Sequence, residues 1–277
     1  MTARSVLTTA VLGAGAVLAY ARFVEPRWLE RTHTRVPIPS LPAALRGLRL
    51  ALLTDLHAGE HTSLAFIRRA CRLAMAARPH LVALTGDFVS KDTGGYVDAV
   101  MKVLDEELAA PLGVFAVPGN HDHAAGIAHW YAALRRHPRL HDLTNRAVRL
   151  EHGGASVLVA GADNPKAGRS QPYAALRGQA PSDVIVLLTH NPFQAATARR
   201  ALGRVDLVMS GHTHGGQVRL PFVGTGATSA RHAELYEAGL VRRPWGWIYV
   251  SRGIGTVHLP MRFRCRPEVA ILELAPA

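Results

Sequence analysis

The stretch Arg49–His57, RLALLTDLH, combines a short apolar run with an aspartate and a histidine at its end. Four later segments repeat this form: LVALTGD at 81–87, VFAVPGNHD at 114–122, VIVLLTH at 184–190 and VDLVMSGHTH at 205–214. Continuous apolar runs of this length are typical of strands that are buried on both faces. We therefore predict five buried strands, each followed by residues that can bind a metal or a substrate.

Helix and hairpin patterns surround these strands. Apolar residues recur at helical spacing in two segments, at Leu64, Ile67, Cys71 and Met75 and at Val97, Val100, Leu104 and Leu108. Asn191-Pro192 is typical of a helix start. Gly153-Gly154 predicts a hairpin turn between strands at 148–150 and 156–160, and further strands are predicted at 247–250 and 269–274. The sequence thus predicts an α/β fold with two stacked mixed β-sheets flanked by helices, in one domain over residues 47–277.

The N-terminal residues 1–24 contain an apolar segment. Between Arg4 and Arg22 lie 17 uncharged residues, which as a helix would span about 25 Å, against about 30 Å for a bilayer core. We expect an uncleaved membrane anchor, with the arginines after it placing the body on the cytoplasmic side of the inner membrane. A signal peptide cut after Ala21, and hence export, or a buried helix are the alternatives. Residues 25–46 are predicted to form a stiff connector, because they contain Pro37, Pro39 and Pro42.

Composition narrows the class of protein. With 48% hydrophobic and 19% charged residues the chain has enough apolar material for a core, and two cysteines exclude a disulfide scaffold. The formal net charge is +12, nearly all of it from arginine, whose planar fork suits phosphate. This favours an anionic substrate, a nucleic acid or an anionic membrane surface, although a GC-rich genome would also raise the arginine content. An aromatic content of 6% and no basic-aromatic motif argue against nucleic acid.

The polar residues at the strand ends belong together chemically. Ligands of α/β sheets bind beyond the carboxyl ends of the strands, so distant positions can converge there. The convergent set is Asp55, His57, Asp87, Asn120, His190, His212 and His214. Each motif alone has an ordinary structural explanation, such as a helix cap or a turn. Together they supply oxygen and imidazole donors without a thiolate, which suits Mn, Fe or Zn, and their number suits two ions that share one carboxylate.

The order Asp-x-His, Gly-Asp, Gly-Asn-His-Asp, His, Gly-His-x-His resembles the calcineurin-like metallophosphoesterase superfamily. With the apolar N-terminus and the segments Ser251–Gly253 and Pro260–Glu268, the chain resembles its bacterial membrane-anchored branch, which includes UDP-diacylglucosamine pyrophosphatases and exported phosphoesterases. The resemblance implies the same two-sheet fold. It implies that Asp87 bridges two divalent ions, the first bound by Asp55, His57 and His214, the second by Asn120, His190 and His212. It also implies that His121 is the catalytic histidine, with Asp122 as its partner.

The expected activity is hydrolysis of a phosphodiester or pyrophosphate bond, at the membrane, in a lipid-linked or nucleotide-linked substrate. Arg252 and Arg262 are candidate ligands of a second phosphate or head group, with a surface ion pair as the alternative for both. His123 has no role in this scheme, and we expect it in a solvent-facing loop. The alternatives are a nuclease or cyclic-nucleotide phosphodiesterase, and a non-catalytic module that binds the membrane or the cell wall.

Overall fold

Two six-stranded sheets, each with parallel and antiparallel pairs, form the centre of the protein. The computed structural model describes residues 3–165, 181–194, 204–220 and 238–277. The first sheet has the order β1-β12-β2-β3-β4-β5, where β1 is Glu30–Ile38, β2 Arg49–Leu53, β3 Leu81–Thr85, β4 Val114–Val117, β5 Leu140–Asp142 and β12 Glu268–Pro276. The second has the order β10-β11-β9-β8-β7-β6, where β6 is Ala147–His152, β7 Ala155–Ala162, β8 Val184–Thr189, β9 Leu207–Ser210, β10 Gly239–Arg243 and β11 Gly246–Val250. All predicted strands are present, and the predicted hairpin at Gly153-Gly154 joins antiparallel β6 and β7.

Side chains alternate between two apolar layers. Leu50 and Leu52 of β2 point towards the second sheet, where they join a cluster that includes Val157 and Val186. The intervening Ala51 and Leu53 belong to a second cluster on the outer face of the first sheet. Helices α2 (Leu64–Met75), α3 (Val97–Glu107) and α4 (Asn120–Arg135) pack on this outer face. The prediction of two stacked mixed sheets flanked by helices is therefore confirmed.

The periodic apolar stripes predict the outer helices correctly. Ile67 and Cys71 of α2, and Val100 and Leu104 of α3, are fully buried in the outer cluster. After Asn191, whose Oδ1 accepts a hydrogen bond from the Phe193 amide, the structure shows a short 3₁₀ turn, Pro192–Gln194. Any continuation of the helix predicted there lies outside the described residues.

The segment 25–46, expected to be a connector, contains a strand. The whole of β1 pairs in parallel with β12 at the edge of the first sheet. One face of this strand is exposed, so polar residues alternate along it and its sequence lacks an apolar run. A strand at the edge of a sheet tolerates Pro37, which has no backbone N–H to donate. The Pro37 carbonyl instead accepts a hydrogen bond from Trp247 Nε1. This part of the chain therefore belongs to the sheet.

The N-terminal helix is attached to the domain at its foot. Helix α1 (Ala3–Ala19) continues into a π-helical turn, Tyr20–Val24. The Ala21 carbonyl accepts a hydrogen bond from the Arg262 amide at 2.9 Å, and the buried Glu25 carboxylate accepts one from the Cys265 amide. Several apolar side chains of α1 are exposed, but within the described residues no helix has the combined length and hydropathy of a membrane span.

Arg262 holds the loop after β11 in place. Its guanidinium is fully buried and donates hydrogen bonds to the backbone carbonyls of Arg252, Gly253, Gly255 and Cys265. A buried carbonyl without a donor costs about 1–3 kcal/mol, so one arginine stabilises the whole loop.

We predict that Arg262→Met lowers the free energy of unfolding by at least about 3 kcal/mol, because several buried carbonyls lose their donor together. The measurement is urea unfolding of both proteins. Arg264→Met is the matched control, since Arg264 is exposed and lies two residues away, and it should change the stability by less than about 0.5 kcal/mol. A loss below about 1 kcal/mol for Arg262→Met would contradict the assignment.

Candidate metal centre

The carboxyl ends of five strands from both sheets meet at one edge of the sandwich. Strands β2, β3 and β4 deliver the loops after Thr54, Thr85 and Val117, and β8 and β9 of the second sheet deliver the other two loops. His190 Nδ1 donates a hydrogen bond to the Thr85 carbonyl at 2.9 Å, which joins the two sheets. The structure brings together all seven residues predicted as metal ligands, in two adjacent groups.

The first group consists of Asp55, His57 and His214, whose ligand atoms all lie within 4.8 Å of one another. His57 Nε2 and His214 Nε2 are 3.1 Å apart, and Asp55 Oδ1 is 3.4 Å from His214 Nε2. Such spacing matches neighbouring ligands of one ion, since metal–nitrogen bonds of about 2.0–2.1 Å place ligand atoms about 3.0–3.4 Å apart.

The second group surrounds His190. Its Nε2 lies 3.1 Å from Asn120 Oδ1, 3.1 Å from His212 Nδ1 and 3.2 Å from Asp87 Oδ2. The same Asp87 oxygen is 3.6 Å from His57 Nε2, so it faces a histidine of each group. Asp55 is also within 4.8 Å of both Asp87 and His190. Two carboxylates therefore lie between the groups, and Asp87 contacts both sets of imidazoles.

Burial and neighbouring charges set the protonation of the groups. Burial lowers the pKa of His57 to about 3 and that of His214 well below its usual value, so both imidazoles are neutral, as metal ligands must be. Burial also raises the pKa of Asp55 to about 6. At His190 and Asp87 burial is outweighed by their mutual attraction, which raises the pKa of His190 to about 9 and lowers that of Asp87. Without metal the chain thus pairs these two as ions, and a divalent ion bound by His190 would displace the proton from its imidazole.

The backbone at the site is strained. Five of the seven predicted ligands adopt the left-handed region, with φ of 51° at Asp55, 45° at His57, 53° at Asp87, 72° at His212 and 51° at His214. Residues other than glycine rarely adopt this region, and such strain costs about 1–3 kcal/mol each. It persists where the surroundings over-determine the conformation, which is typical of functional sites.

Two glycines make room for the carboxylates. A Cβ at Gly119 would overlap Asp87 Oδ1, and a Cβ at Gly211 would overlap Asp55 Oδ2. The His121 amide donates to Asp87 Oδ1 at 2.8 Å, and the His212 amide donates to both oxygens of Asp55 at 3.1 Å. The segments Gly119–His121 and Gly211-His212 thus bring backbone donors close to the two buried carboxylates.

The ring orientations of two histidines are fixed by groups behind them. His57 Nδ1 lies 2.9 Å from Ser90 Oγ, and His190 Nδ1 donates to the Thr85 carbonyl. Both contacts turn Nε2 towards the centre, as in the outer hydrogen bonds that orient metal-binding histidines. The sequence reasoning missed Ser90, although it stands three residues after Asp87 in the same loop.

The structure changes the role expected for Asp122. Its carboxylate does not contact the His121 side chain: it accepts hydrogen bonds from the amides of Phe88, Val89 and Gly119 at 2.8–3.3 Å. His121 Nδ1 instead faces the Lys91 amide at 3.2 Å. Asp122 is at the third helical position of α4, and a carboxylate there caps the helix. It joins the loop of Asp87 to the loop of Asn120 rather than orienting His121.

The two arginines predicted to bind substrate are engaged within the protein. Arg262 is fully buried among backbone carbonyls, so its expected contact with substrate is wrong. Arg252 forms ion pairs with Glu30 at 2.8 Å and Glu268 at 3.5 Å. It therefore ties β1 and β12 to the loop after β11, an ion pair of the kind given as the alternative for this residue.

His123 is also placed differently from the expectation. It lies in α4 rather than in a solvent-facing loop, with its side chain 10% exposed. Its Nε2 is 2.6 Å from Asp163 Oδ1, just after β7. The sequence could not show this contact because Asp163 is 40 positions away and follows a strand of the other sheet.

The donor set fits divalent metal ions. Five of its seven members are buried, and it has carboxylate, amide and imidazole donors. The Nε2 atoms of His57 and His214 face each other at 3.1 Å. His214 Nδ1 is buried and has no hydrogen-bond partner among the described residues. A cleft of about 510 Å³ opens beside the centre, and His57, Ser90, Lys91, His121 and His258 line it. A substrate in this cleft would reach His57 and His121 together.

We predict that Gly119→Ala abolishes metal binding, because the added methyl group would overlap both Oδ1 and the backbone nitrogen of Asp87. Bound metal is measured by elemental analysis after gel filtration, and activity should fall by at least about tenfold. Gly95→Ala is the control, since its Cβ would meet nothing within 4 Å. Unchanged metal content in Gly119→Ala would show that the close approach is not required.

Comparison with known proteins agrees with this centre. Residues 48–216 match the family model described as calcineurin-like phosphoesterase, which covers every residue of the centre. The chain is 31% identical over 269 residues to the phosphodiesterase YaeI of Escherichia coli, covering 96% of both chains. It is 29% identical to the uncharacterized metallophosphoesterase YkuE of Bacillus subtilis, covering 97% of this chain and 93% of that protein.

A third relative carries a more specific name. The UDP-2,3-diacylglucosamine pyrophosphatase LpxG of Chlamydia trachomatis is 26% identical over 318 residues, which cover 96% of this chain and 95% of that protein. The family model spans well over half of the chain, from β2 to the last predicted ligand histidine. The chain therefore belongs to the calcineurin-like phosphoesterase family and is a metal-dependent phosphoester hydrolase.

Proposed function

We propose that the protein uses two divalent ions to hydrolyse a phosphodiester or pyrophosphate bond in a lipid-linked or nucleotide-linked substrate at a membrane. The observation that carries the two-ion part is the position of Asp87 Oδ2, 3.6 Å from His57 Nε2 and 3.2 Å from His190 Nε2. One carboxylate oxygen that faces both imidazole groups is the arrangement that a pair of ions needs.

In this proposal Asp55, His57 and His214 hold one ion, and Asn120, His190 and His212 hold the other, with Asp87 shared. The ions are Mn, Fe or Zn, since the donors are oxygen and imidazole. When bound, two such ions would stabilise the charge on the phosphoryl group as Lewis acids. They would also lower the pKa of a water molecule towards neutrality, which makes it available as the nucleophile. The seven residues hold the ions in place. Their backbone conformations, and the hydrogen bonds behind His57 and His190, are already formed in the protein without substrate.

His121 is the proposed catalytic residue. Its ring lies beside that of His57, with centroids 4.9 Å apart, and it lines the cleft without belonging to either ligand group. With Nδ1 accepting from the Lys91 amide, the proton of the neutral ring is on Nε2. In this form Nε2 can donate a hydrogen bond to the leaving oxygen. Full proton transfer requires the imidazolium form, in which Nδ1 is also protonated, and the ring becomes neutral again when Nε2 gives up its proton. Burial lowers the pKa of His121, which makes the charged ring a stronger acid.

Two observations support the proposed membrane location and substrate class: the exposed apolar side chains of the N-terminal helix and the names of relatives. Helix α1 exposes Val11, Leu12, Val17 and Leu18, and its foot is hydrogen-bonded to the loop that borders the cleft. Proteins described as transmembrane with a metallophosphoesterase domain, from Bos taurus and Danio rerio, are 28% and 27% identical. The chain spans 57% and 63% of their lengths. The name of the Chlamydia relative supports a pyrophosphate in a lipid-linked nucleotide.

Two aspartate variants distinguish the shared ligand from a ligand of one ion. We predict that Asp87→Asn binds neither ion at full occupancy and loses activity by at least about 10³-fold. The reason is that both ligand groups lose the negative charge of the carboxylate that they share. Asp55→Asn should lose mainly one ion. Elemental analysis and calorimetric metal titration of both variants give the stoichiometry. The bridge would be Asp55 instead if the two variants exchanged these outcomes.

A second prediction separates proton transfer from metal binding. His121→Gln should keep both ions, since the amide that contacts Asp87 is retained. With an alkyl alcohol as leaving group the rate should fall by about 10²–10⁴-fold, the usual contribution of general acid catalysis. With p-nitrophenolate, which leaves without a proton, it should fall much less. An equal loss for both leaving groups, or a loss of metal as in His212→Gln, would exclude His121 as the acid.

A further inference from the structure

A second cleft lies beside the catalytic cleft. It has a volume of about 410 Å³ and is lined by residues at the foot of the N-terminal helix, by the start of α2 and by the loop after β11. The two clefts share four wall residues, Glu60, His61, Thr256 and Pro260. A ligand in the catalytic cleft can therefore extend across this wall without crossing the protein core.

Three arginines give the second cleft its charge. Arg22 and Arg27 come from the foot of the N-terminal helix, and Arg69 comes from α2. Arg27 donates to the Phe23 carbonyl at 2.7 Å, and the Arg22 guanidinium lies 5.1 Å from the Phe23 ring centroid. Among the described residues no ion pair with an acidic side chain is formed by any of the three. Glu60 in the shared wall is the single carboxylate against three guanidinium groups.

The arginines on either side of Arg69 in α2 differ from it, because acidic side chains neutralise them. Arg68 and Arg72, the neighbours of Arg69 on α2, pair with Glu106 and Glu107 of α3 at 2.5–2.9 Å. Arg69 faces away from these carboxylates and towards the second cleft. Guanidinium groups in a concave surface bind phosphate by charge-assisted, often paired, hydrogen bonds.

The second cleft is held in register with the metal centre. The Arg262 amide donates to the Ala21 carbonyl, and Arg262 also binds the carbonyl of Gly255, which lines the second cleft. The Gly255 amide in turn donates to the carbonyl of Asp55 at 2.7 Å. Arg22 and Arg27, which follow Ala21 closely, are thus fixed relative to the candidate metal ligands.

We infer that the second cleft binds a second anionic group, of phosphate chemistry, on the same substrate whose scissile phosphoester enters the catalytic cleft. This inference rests on the proposed hydrolase function and names a feature of its substrate. It assigns to Arg22, Arg27 and Arg69 the contact that the sequence suggested for Arg252 and Arg262. Phe66, Pro26 and Ile254 add apolar walls to the cleft, which suits a substrate with a carbon skeleton between its two anionic groups.

The test uses chromogenic phosphodiesters that share p-nitrophenolate as leaving group. The retained alcohol is propyl or hexyl in one set, and in the matched set the same chain carries a terminal phosphate. In the metal-loaded full chain the terminal phosphate should lower KM by about tenfold for at least one chain length, with little change in kcat. In the triple variant Arg22→Gln, Arg27→Gln, Arg69→Gln this gain should disappear, while KM for the plain alkyl esters stays the same.

A variant with the same change of charge serves as control. Arg46, Arg78 and Arg135 are exposed and absent from the lining of both clefts, so their joint replacement by Gln should leave the gain intact. Metal content and thermal unfolding establish that each variant is folded. If the triple variant of the cleft fails to fold, Arg69→Gln alone, at an exposed helix position, should still reduce the gain by about threefold.

The outcomes separate this inference from the proposed function. Hydrolysis of all esters with no gain from the terminal phosphate, or a gain that survives in the cleft variant, overturns the inference and leaves the hydrolase function standing. Hydrolysis of none of the esters by the metal-loaded chain overturns both. A loss of the gain in the control variant as well would assign it to the overall charge and also overturn the inference. Adding a dodecyl chain to the phosphorylated esters identifies the source: a further fall in KM assigns a phospholipid-type substrate, and no fall assigns a water-soluble one.

Discussion

The buried carboxylate of Asp87 is the group on which the rest of the site depends. It lies between His57 and His190, and it attracts the charge of His190 strongly enough to raise the pKa of that imidazole to about 9 despite burial. An ion that is removed from water must be paired and hydrogen-bonded, or it is too costly to keep. The protein meets this requirement with a backbone amide, that of His121, and with neighbouring imidazoles. Divalent ions at the same place would complete the compensation.

Keeping such a group in place explains several features that otherwise look unrelated. Gly119 is a glycine because any side chain there would overlap the carboxylate. Asp122 caps α4 and also binds the amides of Phe88 and Val89, so it links the helix to the strand-end loop that carries Asp87. The left-handed backbone at Asp55 and His57 aims their side chains inward at a cost in strain. The buried sandwich beneath supplies the stability that offsets this strain, since the strands leading to the site are almost entirely apolar and buried.

The sequence predicts the strands and the ligand set well because both depend on local patterns. A run such as LVALT followed by Gly86-Asp87 specifies at once a buried strand, its end and a polar group at that end. What it cannot show are partners chosen by tertiary contact. Local periodicity does not predict the amides that Asp122 binds, the Ser90 hydroxyl behind His57 or the carbonyls around Arg262. Strand β1 was missed for a related reason: one face is solvent-exposed, so its sequence carries polar residues and a proline.

Arginine shows most clearly why charge in a sequence does not reveal its use. The chain carries a net charge of +12, and the motif around Arg252 and Arg262 looks as suitable for phosphate as any other. In the fold Arg262 is buried among carbonyl groups, and Nη2 of Arg252 is paired with two glutamates. Both instead fasten the loop after β11 to the foot of the N-terminal helix and to β1 and β12. By doing so they position other arginines, Arg22 and Arg27, in the wall of the second cleft, beside the catalytic cleft. The buried cations thus act on the anionic ligand indirectly, by fixing the surface that meets it.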